Sequence, residues 1–365
     1  MHAGAGHPAA ARPSGRVPKP RTDGGRVSRL NVLEICAGAG GQALGLEAAG
    51  WDHAAAIDND PHACTTLHWN RPSWDVIEDD VAKVDGKEYR GVDLLAGGVP
   101  CPPFSIAGDQ LGADDERDLF PEALRLIEEA RPAAVMLENV RGFATKRFKE
   151  YRDRLFGELR DLGYDPDWRL LTASDFGVPQ LRPRFVLVAL RPKHAKRFAW
   201  PEATSEAPTV GETLRDLMAA DGWPGAAAWA KQANAIAPTI VGGSKKHGGP
   251  DLGPTRAREQ WRTLGVDGLG LADAPPPRDH SLDVLPRLTV RMIARLQGFP
   301  DDWMFAGRKT AAYRQVGNAF PPPVACAVGV AIREALTGQR INGHNVLRAQ
   351  HRLLEKPGTY EVTHA

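Results

Sequence analysis

The chain has 365 residues, 42% hydrophobic and 25% charged, enough for one large core and a second, smaller domain. No apolar run approaches the roughly 20 residues that span a bilayer, and the Ala-, Gly-, Pro- and Arg-rich start has no apolar core of the secretory kind, so the expectation is a soluble cytoplasmic protein with no membrane partner. A formal charge of +1 leaves nucleic acid open, and the separated cysteines Cys36, Cys64, Cys101 and Cys326, with no CxxC pair, argue against structural zinc and a disulfide framework.

Residues 1–28 carry Arg12, Arg16, Lys19, Arg21 and Arg26 without apolar period and read as a disordered tail. A strand then fits residues 30–35, followed by the glycine turn Cys36-Ala37-Gly38-Ala39-Gly40-Gly41 and a helix that Gly50 ends. Further strands fit 53–57, 93–96, 133–137 and 185–190, and helices fit 121–130 and 148–162. This alternation predicts an α/β fold: a doubly wound, mostly parallel sheet. From about 191 to 286 the composition turns to Gly, Pro, Ala and Trp, which predicts a separate module of irregular structure or short strands. Helical periodicity returns at 288–296 and 322–335. The expected organisation is a discontinuous catalytic domain, 29–190 plus 287–340, a smaller irregular domain, 191–286, and a tail, 341–365.

A glycine turn between strand and helix lets a ligand approach the backbone closely. In a doubly wound sheet an acid ending the next strand accepts hydrogen bonds from a ribose, and Asp58 lies about twenty residues after the glycines, where such an acid belongs. A dehydrogenase or a plain structural turn would share these features, although the spacing is not GxGxxG.

Cys101 lies in Pro100-Cys101-Pro102-Pro103-Phe104-Ser105, just beyond a strand end, where open α/β folds keep their ligands. The prolines stiffen the loop and hold the thiol clear of regular structure, whereas Cys64 and Cys326 fall in apolar periodic segments. An attacking thiol works as thiolate, so a cation belongs nearby. Glu138, in Glu138-Asn139-Val140, ends a buried strand as a proton donor or as a simple cap. In Gln180-Leu181-Arg182-Pro183-Arg184 the two arginines alternate at a strand start and share one face; a structural ion pair would also explain them.

This ordered set resembles the DNA (cytosine-5) methyltransferase family. The resemblance runs from Leu33 to about Gly329 and is completed by Leu296-Gln297-Gly298-Phe299-Pro300 and Gln315-Val316-Gly317-Asn318-Ala319. It implies a Rossmann-like methyltransferase that uses S-adenosylmethionine and flips a cytosine out of double-stranded DNA. By motif position, Cys101 attacks C6, Glu138 serves N3, and Arg184 with Arg182 serves O2. The cofactor falls to the turn residues Cys36, Ala37, Gly38, Ala39 and Gly41, with Asp58 and Asn59 on the ribose side and Asp80 and Val81 at the adenine. Pro100, Leu119, Asn318 and Ala319 complete that pocket.

Three positions depart from the family pattern: Cys36 where Phe is usual, Asp58 where Glu is usual, and Pro102 where Gln is frequent. None removes a group that the chemistry needs.

The resemblance makes the 191–286 module the target-recognition domain, with Ala237-Pro238-Thr239-Ile240-Val241-Gly242-Gly243 near the flipped nucleotide's phosphate. Ser105, Gln180, Thr239, Lys245, Lys246, Arg256 and Arg258 are candidates for DNA contacts; the four basic residues read equally well as solvated surface charges. A monomer is the default, and a cognate restriction endonuclease is a compatible partner. The rivals are a tRNA cytosine-5 methyltransferase, disfavoured by the long module, and a catalytically silent DNA-binding protein, disfavoured by the intact cysteine, glutamate and arginines.

Overall fold

The computed structural model describes residues 30–100, 118–203, 206–243, 249 and 251–341. Strand β1 (Leu30–Ile35) runs through the glycine turn into α1 (Gly41–Ala48). There follow β2 (Trp51–Asp58), α2 (Pro61–Asn70), β3 (Val76–Glu78), β4 (Leu94–Gly98), α3 (Phe120–Ala130), β5 (Ala134–Val140) and α4 (Lys149–Asp161). Strands β6 (Asp165–Thr172) and β7 (Pro183–Leu190) complete the sheet. Helices α5 (Pro192–Ala195), α6 (Val210–Met218), α7 (Ala226–Gln232) and α8 (Thr255–Thr263) come next, then α9 (Val290–Leu296), α10 (Lys309–Asn318) and α11 (Pro322–Thr337).

The seven strands lie in the order β3-β2-β1-β4-β5-β7-β6. Pairing is parallel from β3 through β5 and antiparallel around β7. Residues of one strand alternate between two apolar layers: Val32, Leu94, Met136 and Val188 face one, and Leu33, Leu95, Leu137 and Leu187 face the other. Period-2 alternation with both faces buried is what a doubly wound sheet requires.

The register sets the functional edge. Ile35 lies beside Ile57 and Gly97, so β1, β2 and β4 end together, and Gly98 lies beside Glu138 on β5. Because β7 runs the other way, its start reaches that edge too, with Arg184 opposite Val140. The chain changes direction across the sheet between β1 and β4, the place where such folds bind ligands.

The last segment packs back on the first. Helix α11 lies along α1 so closely that a Cβ on Gly45 would come 2.3 Å from the Pro322 carbonyl oxygen. Trp51 Nε1 donates to the Gly329 carbonyl at 3.1 Å. Residues Lys309–Thr337 would pass for a membrane span by length and hydropathy, but 83% of that apolar window is buried in this core.

The stretch 191–286 departs from expectation: its described residues form four helices, α5 to α8, and no named strand. A capping box between Thr209 and Glu212 starts α6. The buried Val210, Leu214 and Met218 of that helix join Trp229, Met292 and Ile293 in one apolar cluster.

Candidate active site

The glycine turn is held by its own backbone. Gly38 and Gly40 take φ of +54° and +82°, where a Cβ is disfavoured. Space decides the matter at Gly40, where a Cβ would meet Leu67 at 2.7 Å and the Trp303 ring at 2.9 Å. Gly38 instead has nothing within 4 Å of its Cβ position. Asp58 ties the turn to β2: its Oδ2 accepts from Gly38 N–H and its Oδ1 from Asp60 N–H, both at 2.8 Å. Asp58 thus braces the turn with both of its carboxylate oxygens.

A cavity of about 390 Å³ opens above this turn. Cys36, Ala37, Gly38, Ala39 and Gly41 form its floor, Asp58 and Asn59 one side, and Pro100 and Glu138 another. Asn318 and Ala319 meet them from the far end of the chain. Ten of the expected cofactor residues thus converge on one space. The other three are not among its lining residues. Val81 and Leu119 pack with the neighbouring apolar layer, and Asp80 caps a short turn by accepting from Ala82 N–H.

The donor set fits an adenosyl amino acid: open backbone at Gly38, acids at a strand end, and an amide in search of partners. That amide is Gln42, whose Nε2 and Oε1 are buried without a hydrogen-bond partner although the residue lines the cavity. Arg314 lies on the same wall, 3.9 Å from Asp60. Reasoning from sequence missed both. Their only signal was position, one residue beyond the glycine turn and one before the Gln315 motif. Cys36 also takes a left-handed φ, +50°. Burial, with Asp58 and Asp80 nearby, pushes its thiol pKa well up, so it presents a neutral, polarizable surface where the family usually has Phe.

Glu138 connects this cavity to a second site. It is 8% exposed, and Gly98 lies between it and the turn, its Cβ position 3.3 Å from Glu138 Oε2 and 4.0 Å from the Cys36 carbonyl. Arg184 Nε forms an ion pair with Glu138 Oε1 at 2.8 Å. Burial raises the Glu138 pKa above the ordinary carboxylate value, and Arg184 and Arg182 pull against that rise. A carboxyl raised in this way holds its proton to higher pH than a free one and can donate it.

The residues that flank the segment holding Cys101 are tied at the same edge. Asn139 Nδ2 donates to the Val99 carbonyl at 2.8 Å, and Leu119 N–H to the Pro100 carbonyl at 3.3 Å. Pro100 and Leu119 therefore adjoin, and Cys101 follows the first of them directly. Cys101 itself lies outside the described residues, as do Ser105, Lys245 and Lys246.

Over residues 30–334 the sequence matches C-5 cytosine-specific DNA methylase. The chain belongs to that family. Among its relatives, Type II methyltransferase M.NaeI of Lentzea aerocolonigenes is 59% identical, covering 93% of this chain and 84% of that protein. Type II methyltransferase M.NgoMIV of Neisseria gonorrhoeae is 55% identical, covering 84% of this chain and 98% of that protein. The fold is shared with DNMT2 of Spodoptera frugiperda, at TM-score 0.59 and 16% identity over 84% of this chain and all (100%) of that one. It is shared too with the Dnmt2 methyltransferase of S. pombe, at TM-score 0.54 and 21% identity over 85% of this chain and 98% of that one.

Within this methylase, two expected contacts need correction. Gln180, a candidate for DNA, is 0% exposed. Its Nε2 donates to Gln297 Oε1 at 2.6 Å and its Oε1 accepts from Ile240 N–H at 2.9 Å, so its amide is spent inside the fold. Arg182, expected to share the base with Arg184, is also 0% exposed. Its guanidinium donates to the carbonyls of Ile240, Gly317 and Ala319. Strand alternation does place both arginines on one face, and of the two Arg184 lines the cavity described next.

That second cavity, about 500 Å³, is lined by Arg184, Val140, Thr239, Val241, Gly242 and Asn318 among others. Thr239 donates its hydroxyl to the Leu181 carbonyl. Arg256 and Arg258 lie on α8, outside the lining of this cavity, with Arg256 exposed and Arg258 half-buried.

Proposed function

We propose that the chain transfers the methyl group of S-adenosylmethionine to C5 of one cytosine, flipped out of a specific duplex DNA sequence. The observation that carries this reading is the position of Glu138, which lines the glycine-turn cavity while paired with Arg184 at the mouth of the second. When bound, the cofactor supplies an electrophilic methyl group. The Cys36–Gly41 turn and Asp58 would hold its methionine and ribose, with Asp80 and Val81 toward the adenine.

The flipped base would enter against Arg184. The Cys101 thiolate adds to C6 while protonated Glu138 donates to N3, so the electron pair displaced from the ring is held as an enamine rather than as a full anion. Arg184 steadies O2, where negative charge develops. C5 would then take the methyl carbon as that carbon's bond to sulfur breaks and S-adenosylhomocysteine leaves, the C5 proton would pass to a base, and the thiolate would be expelled as the 5,6 double bond returns. Glu138 recovers its proton balance in that last step.

Residues 29–190 with 287–340 would form the catalytic unit, and 191–286 the unit that reads the sequence, with Thr239, Arg256, Arg258, Lys245 and Lys246 toward phosphates or bases. The protein would act in the cytoplasm as a monomer, alongside a restriction endonuclease of the same specificity.

The test is transfer of labelled methyl from S-adenosylmethionine to duplex DNA and to tRNA, with sequencing of methylated cytosines in an otherwise methylation-free host. Duplex DNA is expected to be labelled at one short sequence, and Cys101→Ser is expected to abolish turnover. Transfer to tRNA with none to any duplex would overturn the reading.

A further inference from the structure

The mouth of the Arg184 cavity carries apolar side chains that the fold turns outward. Residues 180–182 run beside 237–240: Leu181 N–H donates to the Ala237 carbonyl at 2.7 Å, and Ile240 N–H to Gln180 Oε1 at 2.9 Å. In an extended chain neighbouring side chains point to opposite sides. With Gln180, Arg182 and Ile240 buried, Leu181 and Val241 therefore face out. Val140, the last residue of β5, stands opposite Arg184 in the register. All three line the cavity, yet Val140 is 56% exposed, Leu181 48% and Val241 49%. Apolar side chains grouped at the rim of a cavity mark an interaction site.

The charged pair lies deeper, with Arg184 and Glu138 each 8% exposed. Thr239 brings a hydroxyl to the lining, and its proton goes to the Leu181 carbonyl. Arg141 and Gln260 border the cavity with exposed side chains, which suit the phosphates on either side of a nucleotide. A base that meets Glu138 with N3 and Arg184 with O2 keeps its glycosidic bond directed at the mouth, because the strand it belongs to passes outside. The sugar then sits among Val140, Leu181 and Val241. A 2′-methylene suits that rim, whereas a 2′-hydroxyl would exchange water for hydrocarbon, and a hydroxyl buried without a partner is penalised.

We propose that Val140, Leu181 and Val241 form a collar around the sugar of the target nucleotide and select 2′-deoxycytidine over cytidine. The inference deepens the functional reading above and rests on it. An apolar site rejects an added hydroxyl by no more than about 10²-fold, so the collar is expected to discriminate by about 10- to 100-fold.

The experiment measures kcat/KM for methyl transfer to three DNA duplexes of the methylated sequence, which differ only at the target nucleotide: 2′-deoxycytidine, cytidine or 2′-fluoro-2′-deoxycytidine. Fluorine draws the sugar toward the ribose pucker but carries no proton in need of an acceptor. The wild type is expected to use the fluoro duplex almost as well as the deoxy one, and the cytidine duplex about 10- to 100-fold less well. Val140→Thr, Leu181→Thr and Val241→Thr each place a hydroxyl partner on the collar at an exposed position, where folding is not at stake. The deoxy-to-ribo ratio is expected to fall in at least one of them, and taking a ratio cancels any general loss of activity or of DNA affinity. Equal use of the deoxy and cytidine duplexes by the wild type overturns the proposal, as does an unchanged ratio in all three variants. Rejection of the fluoro duplex as strong as that of cytidine overturns it too, since pucker then decides. In each of these outcomes transfer to the deoxy duplex leaves the functional reading standing; no transfer to any duplex defeats both.

Discussion

Glu138 shows how one residue's environment sets its chemistry. Burial, the larger influence, raises its pKa and the two arginines pull against that rise, so the acid form persists to higher pH than for a free glutamate. The proton on Glu138 is present below its raised pKa and lost as pH rises through it, while the Cys101 thiol must lose its proton for attack. The rate should therefore rise with pH on the thiol limb and fall again on the glutamate limb. Glu138→Gln keeps the size of the side chain and removes the ionisation. Activity is expected to drop by about 10²- to 10⁴-fold, with the high-pH fall absent from the residual kcat/KM profile. A profile that retained the fall would assign it to another group. Gln42 offers a second test at this scale, since its amide is buried without partners and such groups cost about 1–3 kcal/mol. Gln42→Met should stabilise the ligand-free protein by about 1 kcal/mol and shrink the further stabilisation by S-adenosylhomocysteine. Thermal melts with and without that ligand check both signs; a less stable ligand-free variant would contradict the assignment.

At the scale of elements, the sheet strands that carry the site were legible because each is a short apolar run ended by Gly, Pro or polar residues. The glycine turn, Glu138 and Arg184 followed from those ends. Helix α2 was missed because its buried residues, Ala63, Cys64, Thr66 and Leu67, make only a weak apolar face, although Asp60 and Pro61 form a readable start. Strand β6 was missed because it is an antiparallel edge strand with most of its residues outside the core. The helices of 191–286 hid behind glycine and proline, and their burial depends on partners distant in sequence, Leu214 on α6 and Ile293 on α9 among them. The fates of Gln180 and Arg182 were unreadable for the same reason: the carbonyls that occupy Arg182 belong to residues 240, 317 and 319. Such contacts can be probed at the α1–α11 interface. Gly45→Ala places a methyl group 2.3 Å from the Pro322 carbonyl oxygen, and relief requires backbone movement. A loss of about 1–3 kcal/mol is expected, read as a lower denaturant midpoint with an unchanged slope. An unchanged midpoint would show that the two helices can part freely.

For the whole molecule, the division into a catalytic unit and a recognition unit describes what each would do, but the packing does not follow that division. One contiguous apolar cluster contains Val32 and Met136 of the sheet, Leu214, Trp229 and Trp261 of the helical stretch, and Val328 of α11. Its continuity means that the 191–286 stretch buries its apolar residues against the α/β unit and has no independent core among the described residues. Hinged domains that meet through modest polar interfaces unfold separately; segments sharing one core lose their stability together. Thermal unfolding is therefore expected as one transition. Tryptophan fluorescence reports in part on Trp223, Trp229 and Trp261 in the helical stretch, and far-UV circular dichroism on the whole backbone. The two probes should give the same midpoint and the same apparent enthalpy. A fluorescence transition that preceded the loss of secondary structure would mean that the helical stretch detaches first.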